Sequence, residues 1–69
     1  MKELIFLVEE SPEGGYTARA LEHAIITEAD SYEEVKAAVK EAVECHFEDE
    51  LPKIVRLHFV KEEVFSIGA

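Results

Sequence analysis

The chain has a single cysteine, Cys45, and no tryptophan, asparagine or glutamine. One thiol excludes an intrachain disulfide, and with it the cysteine frameworks that staple small secreted domains. Missing amides beside abundant glutamate are a thermophile-like signature. Cations are scarce too: seven Lys and Arg stand against sixteen Asp and Glu, a formal charge of −9. So acidic a surface is repelled by phosphate backbones unless its few cations cluster. Direct nucleic-acid binding by this chain alone is therefore not expected, and a basic or neutral partner surface is the easier match. The apolar run near the N-terminus, Leu4 to Val8, is too short for a signal peptide or a membrane span. The expectation is a soluble cytoplasmic protein with no membrane contact. There is no internal repeat, low-complexity segment or linker.

What is there suits one small domain over residues 1–69. Hydrophobic residues make up 48% of the chain, which argues against disorder. A domain this short buries only ~60% of its unfolded surface, so association is a common way for it to gain stability.

Residues 2–9 read as a strand, with Leu4, Phe6 and Val8 on one face and Ile5 and Leu7 on the other. Apolar residues on both faces predict a strand covered on both sides. Glu9 to Gly15 reads as a turn, because Pro12 cannot donate to a ladder and the glycines accept positive φ. Tyr16 to Leu21 is the hairpin's second strand, with Tyr16, Ala18 and Ala20 opposite Thr17, Arg19 and Leu21. A short third strand is predicted over His23–Thr27. Ser31 with Glu34 three residues on makes a capping box, so a helix is predicted from Tyr32 to about Phe47. Val35, Ala38, Val39, Ala42, Val43 and His46 form its apolar stripe. Pro52 disfavours helix at Leu51 and ends it. Lys53 to Lys61 alternates as a strand, with Val55, Leu57 and Phe59 together. Val64 to Ile67 is either a short final strand or an apolar tail.

The implied fold is α+β: a two-layer β-β-β-α-β domain, with an antiparallel-dominated sheet and one helix packed on one face. One helix cannot cover both faces, and large exposed apolar patches are uncommon in soluble monomers. A homodimer or higher oligomer is expected. Ile5, Leu7, His23, Ile25, Arg56, His58, Phe65 and Ile67 are the candidate partner or oligomer surface.

The segments Glu-Gly-Gly-Tyr-Thr-Ala (13–18) and Ala-Asp-Ser-Tyr-Glu-Glu-Val-Lys-Ala-Ala-Val-Lys-Glu-Ala-Val-Glu (29–44), behind an N-terminal strand, give the chain a family likeness. Over roughly residues 2–60 it resembles the HicB-like antitoxin family. The resemblance implies a truncated ribonuclease-H-like core without that enzyme's catalytic residues, and a role in binding a small basic RNA-cleaving toxin. Two departures stand out: Ala20 to Ile25 replace the family's usual Pro-Glu-Leu-Pro-Gly-Cys segment, and Ala29 replaces its turn glycine. Full-length antitoxins of this kind also carry a C-terminal DNA-binding segment, for which this chain leaves no room after its last strand. The resemblance thus implies the fold and toxin binding rather than operator binding.

No constellation of catalytic residues emerges. His23, beside Glu22, reads as a surface or edge-strand histidine, since a general base also needs a pocket and a partner within reach. Cys45 and His46 are adjacent, so on a helix they point about 100° apart, which disfavours a Cys-His nucleophile pair. Both read as core packing, with Cys45 as a small buried hydrophobe. His23, His46 and His58 lack metal-ligand spacing, so no metal and no cofactor are expected. Nine acids fall in residues 28–50 against Lys36 and Lys40, and read as a solvated helix face that could dock a basic partner. A basic patch of Arg19, Lys53, Arg56 and Lys61 requires the second and fourth strands to lie close together. The alternative function, a degenerate ribonuclease-H-like or small-ligand-binding protein, requires acids such as Glu22 and Asp30 to converge on a two-metal centre.

Overall fold

A computed structural model describes residues 2–68; residues 1 and 69, the ends of the expected single domain, lie outside the described residues. The elements are β1 (Glu3–Glu10), β2 (Tyr16–Ala20), β3 (Ile26–Ala29), α1 (Tyr32–His46) and β4 (Ile54–Val60). They form a two-layer α+β fold in the expected β-β-β-α-β order. The four strands make one mixed sheet in the order β3-β2-β1-β4. β1 pairs antiparallel with β2, which pairs antiparallel with β3; β4 joins parallel to β1.

The β1–β2 hairpin closes through Ser11 and two glycines. The Ser11 N–H donates to the Gly15 carbonyl at 2.9 Å, and the Gly14 N–H donates to the Ser11 carbonyl at 3.0 Å. Gly14 and Gly15 take φ of +99° and +86°, a region costly for any side chain with a Cβ. At Gly15 a Cβ would also lie 2.9 Å from the Ala29 carbonyl oxygen. The first hairpin can therefore press against the end of β3 only with glycine at this position.

Ser31 caps α1. Its Oγ accepts from the Glu34 N–H at 3.1 Å and donates to the Glu34 carboxylate at 3.0 Å. That satisfies one of the four orphan donors of the first turn, and Glu33 and Glu34 suit the positive end of the dipole. The helix ends at His46, where the Phe47 N–H donates to the Val43 carbonyl.

The alternation in β1 sorts its side chains as expected. Leu4, Phe6 and Val8 are buried beneath α1, together with Ala18, Ala20 and Ile25 from the sheet side and Val35, Val39 and Val43 from the helix. Nine side chains thus make the whole buried core among the described residues. Small alanines in β2 let the helix approach closely, which suits so thin a core.

Several expectations shift. The third strand begins at Ile26 rather than His23, because residues 21–25 form a tight turn: the Ala20 N–H donates to the Ile25 carbonyl, and the Ile25 N–H to the His23 carbonyl. That turn swings Ile25 inward, so it is a core residue, not part of a partner surface. Cys45 and His46 are exposed rather than packed in the core, because the buried stripe runs through Val35, Val39 and Val43 and leaves the last turn outside it. Residues 61–68 form no strand; the stretch from Val64 to Ile67 is an exposed apolar tail.

Candidate interaction surface

β4 is where the fold leaves surface uncovered. It is an edge strand, hydrogen-bonded on one side only, to β1. Its two faces differ. Val55, Leu57 and Phe59 register with Leu4, Phe6 and Val8 and so share the helix side of the sheet. The helix, however, lies chiefly over β3 and β2. Leu57 packs half-buried against the core, and Phe59 joins an aromatic trio: Tyr16, Tyr32 and Phe59 meet edge to face or tilted, with ring centroids 5.7–6.0 Å apart. Such aromatic contacts add about 0.5–1.5 kcal/mol each beyond area burial. Away from this trio, α1 and β4 diverge.

The divergence opens a groove of about 500 Å³. Val39 and Val43 line its helix side, Val55 and Leu57 its strand side, and Leu51 and Pro52 stand at one end. Glu33, Lys36, Lys40 and Glu44 form the helical rim, so both lysines of α1 border this groove. A cavity of this size, apolar with charged groups at the margin, has the character of a binding site.

The other face of the sheet has no helix. Register places Leu7 between Arg19 and His58, and Ile5 beside Arg56. Ile5 and Leu7 are half-buried by their strand neighbours alone, while Arg19, Arg56 and His58 are exposed. Of the candidate surface residues, Ile5, Leu7, Arg56 and His58 are thus brought together on one face. Phe65 and Ile67 lie in the tail beyond β4. His23 is elsewhere, half-buried in the turn before β3, with its ring 5.1 Å from Phe47 and 6.0 Å from His46. It is a stacking partner at the C-terminal end of the helix.

The condition for a basic patch of Arg19, Lys53, Arg56 and Lys61 is not met. β1 separates β2 from β4, so Arg19 and Arg56 do not adjoin. Arg56 is also neutralised: its Nε donates to the Glu3 carboxylate, and this bond, followed by the charge attraction, raises the guanidinium pKa above its ordinary value. Among the described residues no three His, Cys, Asp or Glu side chains come together as a metal-ligand group. Glu28, Asp30 and Glu34 do border one shallow polar groove with Ser11 and Glu13, beside the glycine turn. Sequence reasoning missed the α1–β4 groove. Its only signal was the pair Lys36 and Lys40, which interrupts an otherwise acidic helix face.

No helix among the described residues is long and apolar enough to cross a membrane. The features together define a small α+β domain with an uncovered edge strand. Comparison with known proteins assigns the family. The chain is 38% identical over 66 residues to a UPF0150 protein of Thermotoga maritima, covering 96% of this chain and 94% of that one. It is 64% identical over 52 residues to a UPF0150 protein of Archaeoglobus fulgidus, covering 74% of this chain and 77% of the relative. The chain belongs to the UPF0150 family. Both organisms are thermophiles, in keeping with the amide-free composition. No family model matches the sequence, and no solved structure matches the fold.

Proposed function

We propose that this protein is a non-catalytic interaction module of the HicB-like antitoxin kind, which acts in the cytoplasm by self-association and by binding a small basic RNA-cleaving toxin. The observation that carries this reading is the uncovered apolar surface around β4: Ile54, Val55, Phe59 and Val60 are exposed on an edge strand, with Val64, Phe65 and Ile67 beyond it. Exposed apolar surface on an unpaired edge marks an association site in a soluble protein. The charge balance supports a basic partner. Acids crowd α1 and the loop that follows, from Glu33 to Glu50, and a net charge of −9 attracts a cationic protein to the molecule as a whole.

The test is direct. The reading frames beside this one are searched for a small basic protein, which is expressed and its RNA cleavage measured with and without an equimolar amount of this chain. The reading expects complex formation and loss of cleavage, with an association rate that falls steeply as salt is raised. Absence of such a neighbour, together with failure to capture any RNA-cleaving protein, overturns the toxin-binding part of the proposal.

A further inference from the structure

The domain has both an open apolar groove and an exposed apolar arm. Val64, Phe65 and Ile67 are 83%, 72% and 89% exposed. The tail that bears them stretches the molecule to 57 Å along one axis against 20 and 18 Å along the others. The Cα radius of gyration is 14.3 Å, where a compact chain of this length has ~11 Å. The arm therefore stands clear of its own domain. Three large apolar side chains in so short a segment are a poor composition for a free tail, which is normally polar.

We propose that the groove between α1 and β4 receives Val64, Phe65 and Ile67 of a second copy of this chain, in a reciprocal exchange of C-terminal arms. Charge complementarity favours this occupant. The arm enters its apolar segment through Lys61-Glu62-Glu63. The groove's helical rim reads Glu33, Lys36, Lys40, Glu44, with its two lysines in the middle. Glu62 and Glu63 meet Lys36 and Lys40 as the arm lies down, and Lys61 meets one of the flanking acids. In a chain of −9 net charge, an acidic segment finds few other basic places to dock.

The geometry favours a second copy over the arm's own groove. β4 runs from Ile54 beside Glu3 to Val60 beside Glu9, and delivers the chain past the Tyr16–Tyr32–Phe59 trio. The groove wall, Val55 and Leu57, lies upstream on the same strand. To fill its own groove the arm would have to reverse at once and pass back over the aromatic trio. Running straight on, residues 61–68 reach up to ~28 Å, enough to enter a neighbouring molecule. A two-fold axis then gives the same contact twice and closes the assembly as a dimer.

The proposal rests on the interaction-module reading only in taking the β4 surface as an association surface, and it needs no toxin. Purified protein alone is examined by sedimentation equilibrium. Wild type should be a dimer at micromolar concentration. The double variant Phe65→Ser/Ile67→Ser removes the anchors of both arms and should weaken dimerisation by about 10,000-fold or more, because the reciprocal exchange buries two large apolar side chains twice. Leu51→Asp, at a half-exposed position on the groove, should do the same. An equimolar mixture of the two variants should form a heterodimer, since one partner retains its arm and the other its groove. Charge reversal offers a check on exposed positions that leave the core alone: Lys36→Glu/Lys40→Glu should weaken dimerisation about tenfold, and adding Glu62→Lys/Glu63→Lys should restore it. A monomeric wild type overturns the proposal, as does a dimer indifferent to Phe65→Ser/Ile67→Ser or a variant mixture that stays monomeric. None of these outcomes bears on toxin binding, which is read separately by inhibition of RNA cleavage.

Discussion

Gly15 offers the sharpest test of how the fold is built. Two separate effects oppose a side chain there. Its φ of +86° lies in the left-handed region, which costs an L-residue about 1–2 kcal/mol. A Cβ would also stand 2.9 Å from the Ala29 carbonyl oxygen, and relieving such overpacking typically costs a further ~1–3 kcal/mol. Alanine loses less backbone entropy on folding than glycine, which returns ~0.4–1 kcal/mol. The net expectation for Gly15→Ala is a loss of roughly 2–4 kcal/mol. Gly14 is the internal control, because its φ of +99° is equally unfavourable but no atom lies within 4 Å of its Cβ position. Gly14→Ala should therefore lose only ~1 kcal/mol. At ~4–8 °C per kcal/mol for a domain of this size, the melting temperatures should fall by about 4–8 °C for Gly14→Ala and about 8–32 °C for Gly15→Ala. Thermal unfolding followed by circular dichroism, at one fixed protein concentration because association shifts the midpoint, reads the difference. Equal shifts for the two variants would refute the claim that contact with β3, rather than turn strain alone, fixes glycine at 15.

Three further outcomes are expected. Ser31→Ala removes the cap of α1 and should cost about 1 kcal/mol in denaturant unfolding; a neutral result would mean the first turn is held by packing instead. Phe6→Ala leaves a cavity at a fully buried position in a core of nine side chains, and a loss of ~3–5 kcal/mol should abolish most of the cooperative transition. Arg56→Ala breaks a solvent-exposed pair with Glu3 and should leave the melting temperature unchanged within error, because screening and side-chain entropy offset such contacts.

The parts of the fold legible in the sequence are those set by local chemistry. The Ser31–Glu34 cap, the Val35–Val39–Val43 stripe and the period-two alternation of β1 each follow from neighbours a few residues apart, and the structure keeps all three. The errors arose where distant residues decide. Ile25 sits in a β-prone trio, yet the Ala20–Ile25 bond folds it inward and starts the strand at Ile26, three residues later than expected. His46 continues the apolar spacing of α1, but it is exposed in the last turn, beside His23 and Phe47. The place of β4 was hidden for the same reason. Nothing local to Ile54–Val60 says that it pairs with β1 rather than β2, and that choice both scatters Arg19 from Arg56 and opens the groove.

The strand order also explains why one small domain should leave so much apolar surface free. A sheet ordered β3-β2-β1-β4 is four strands wide, about 14 Å from first strand to last at ~4.7–4.9 Å per step. A single helix with its side chains is ~10–12 Å across. It cannot cover every strand, and here it lies over β2 and β3. The uncovered strand must then be β4, the one strand added in parallel and the last in the chain, so the exposed edge, the groove and the C-terminal arm all fall at one side of the molecule. Moving the helix one strand toward β4 would place it over β1 and β2 and strip its cover from β3, whose Thr27 and Ala29 are half-buried. The alanines of β2 and the larger residues of β4 thus divide the sheet between a face for the helix and a face for another chain.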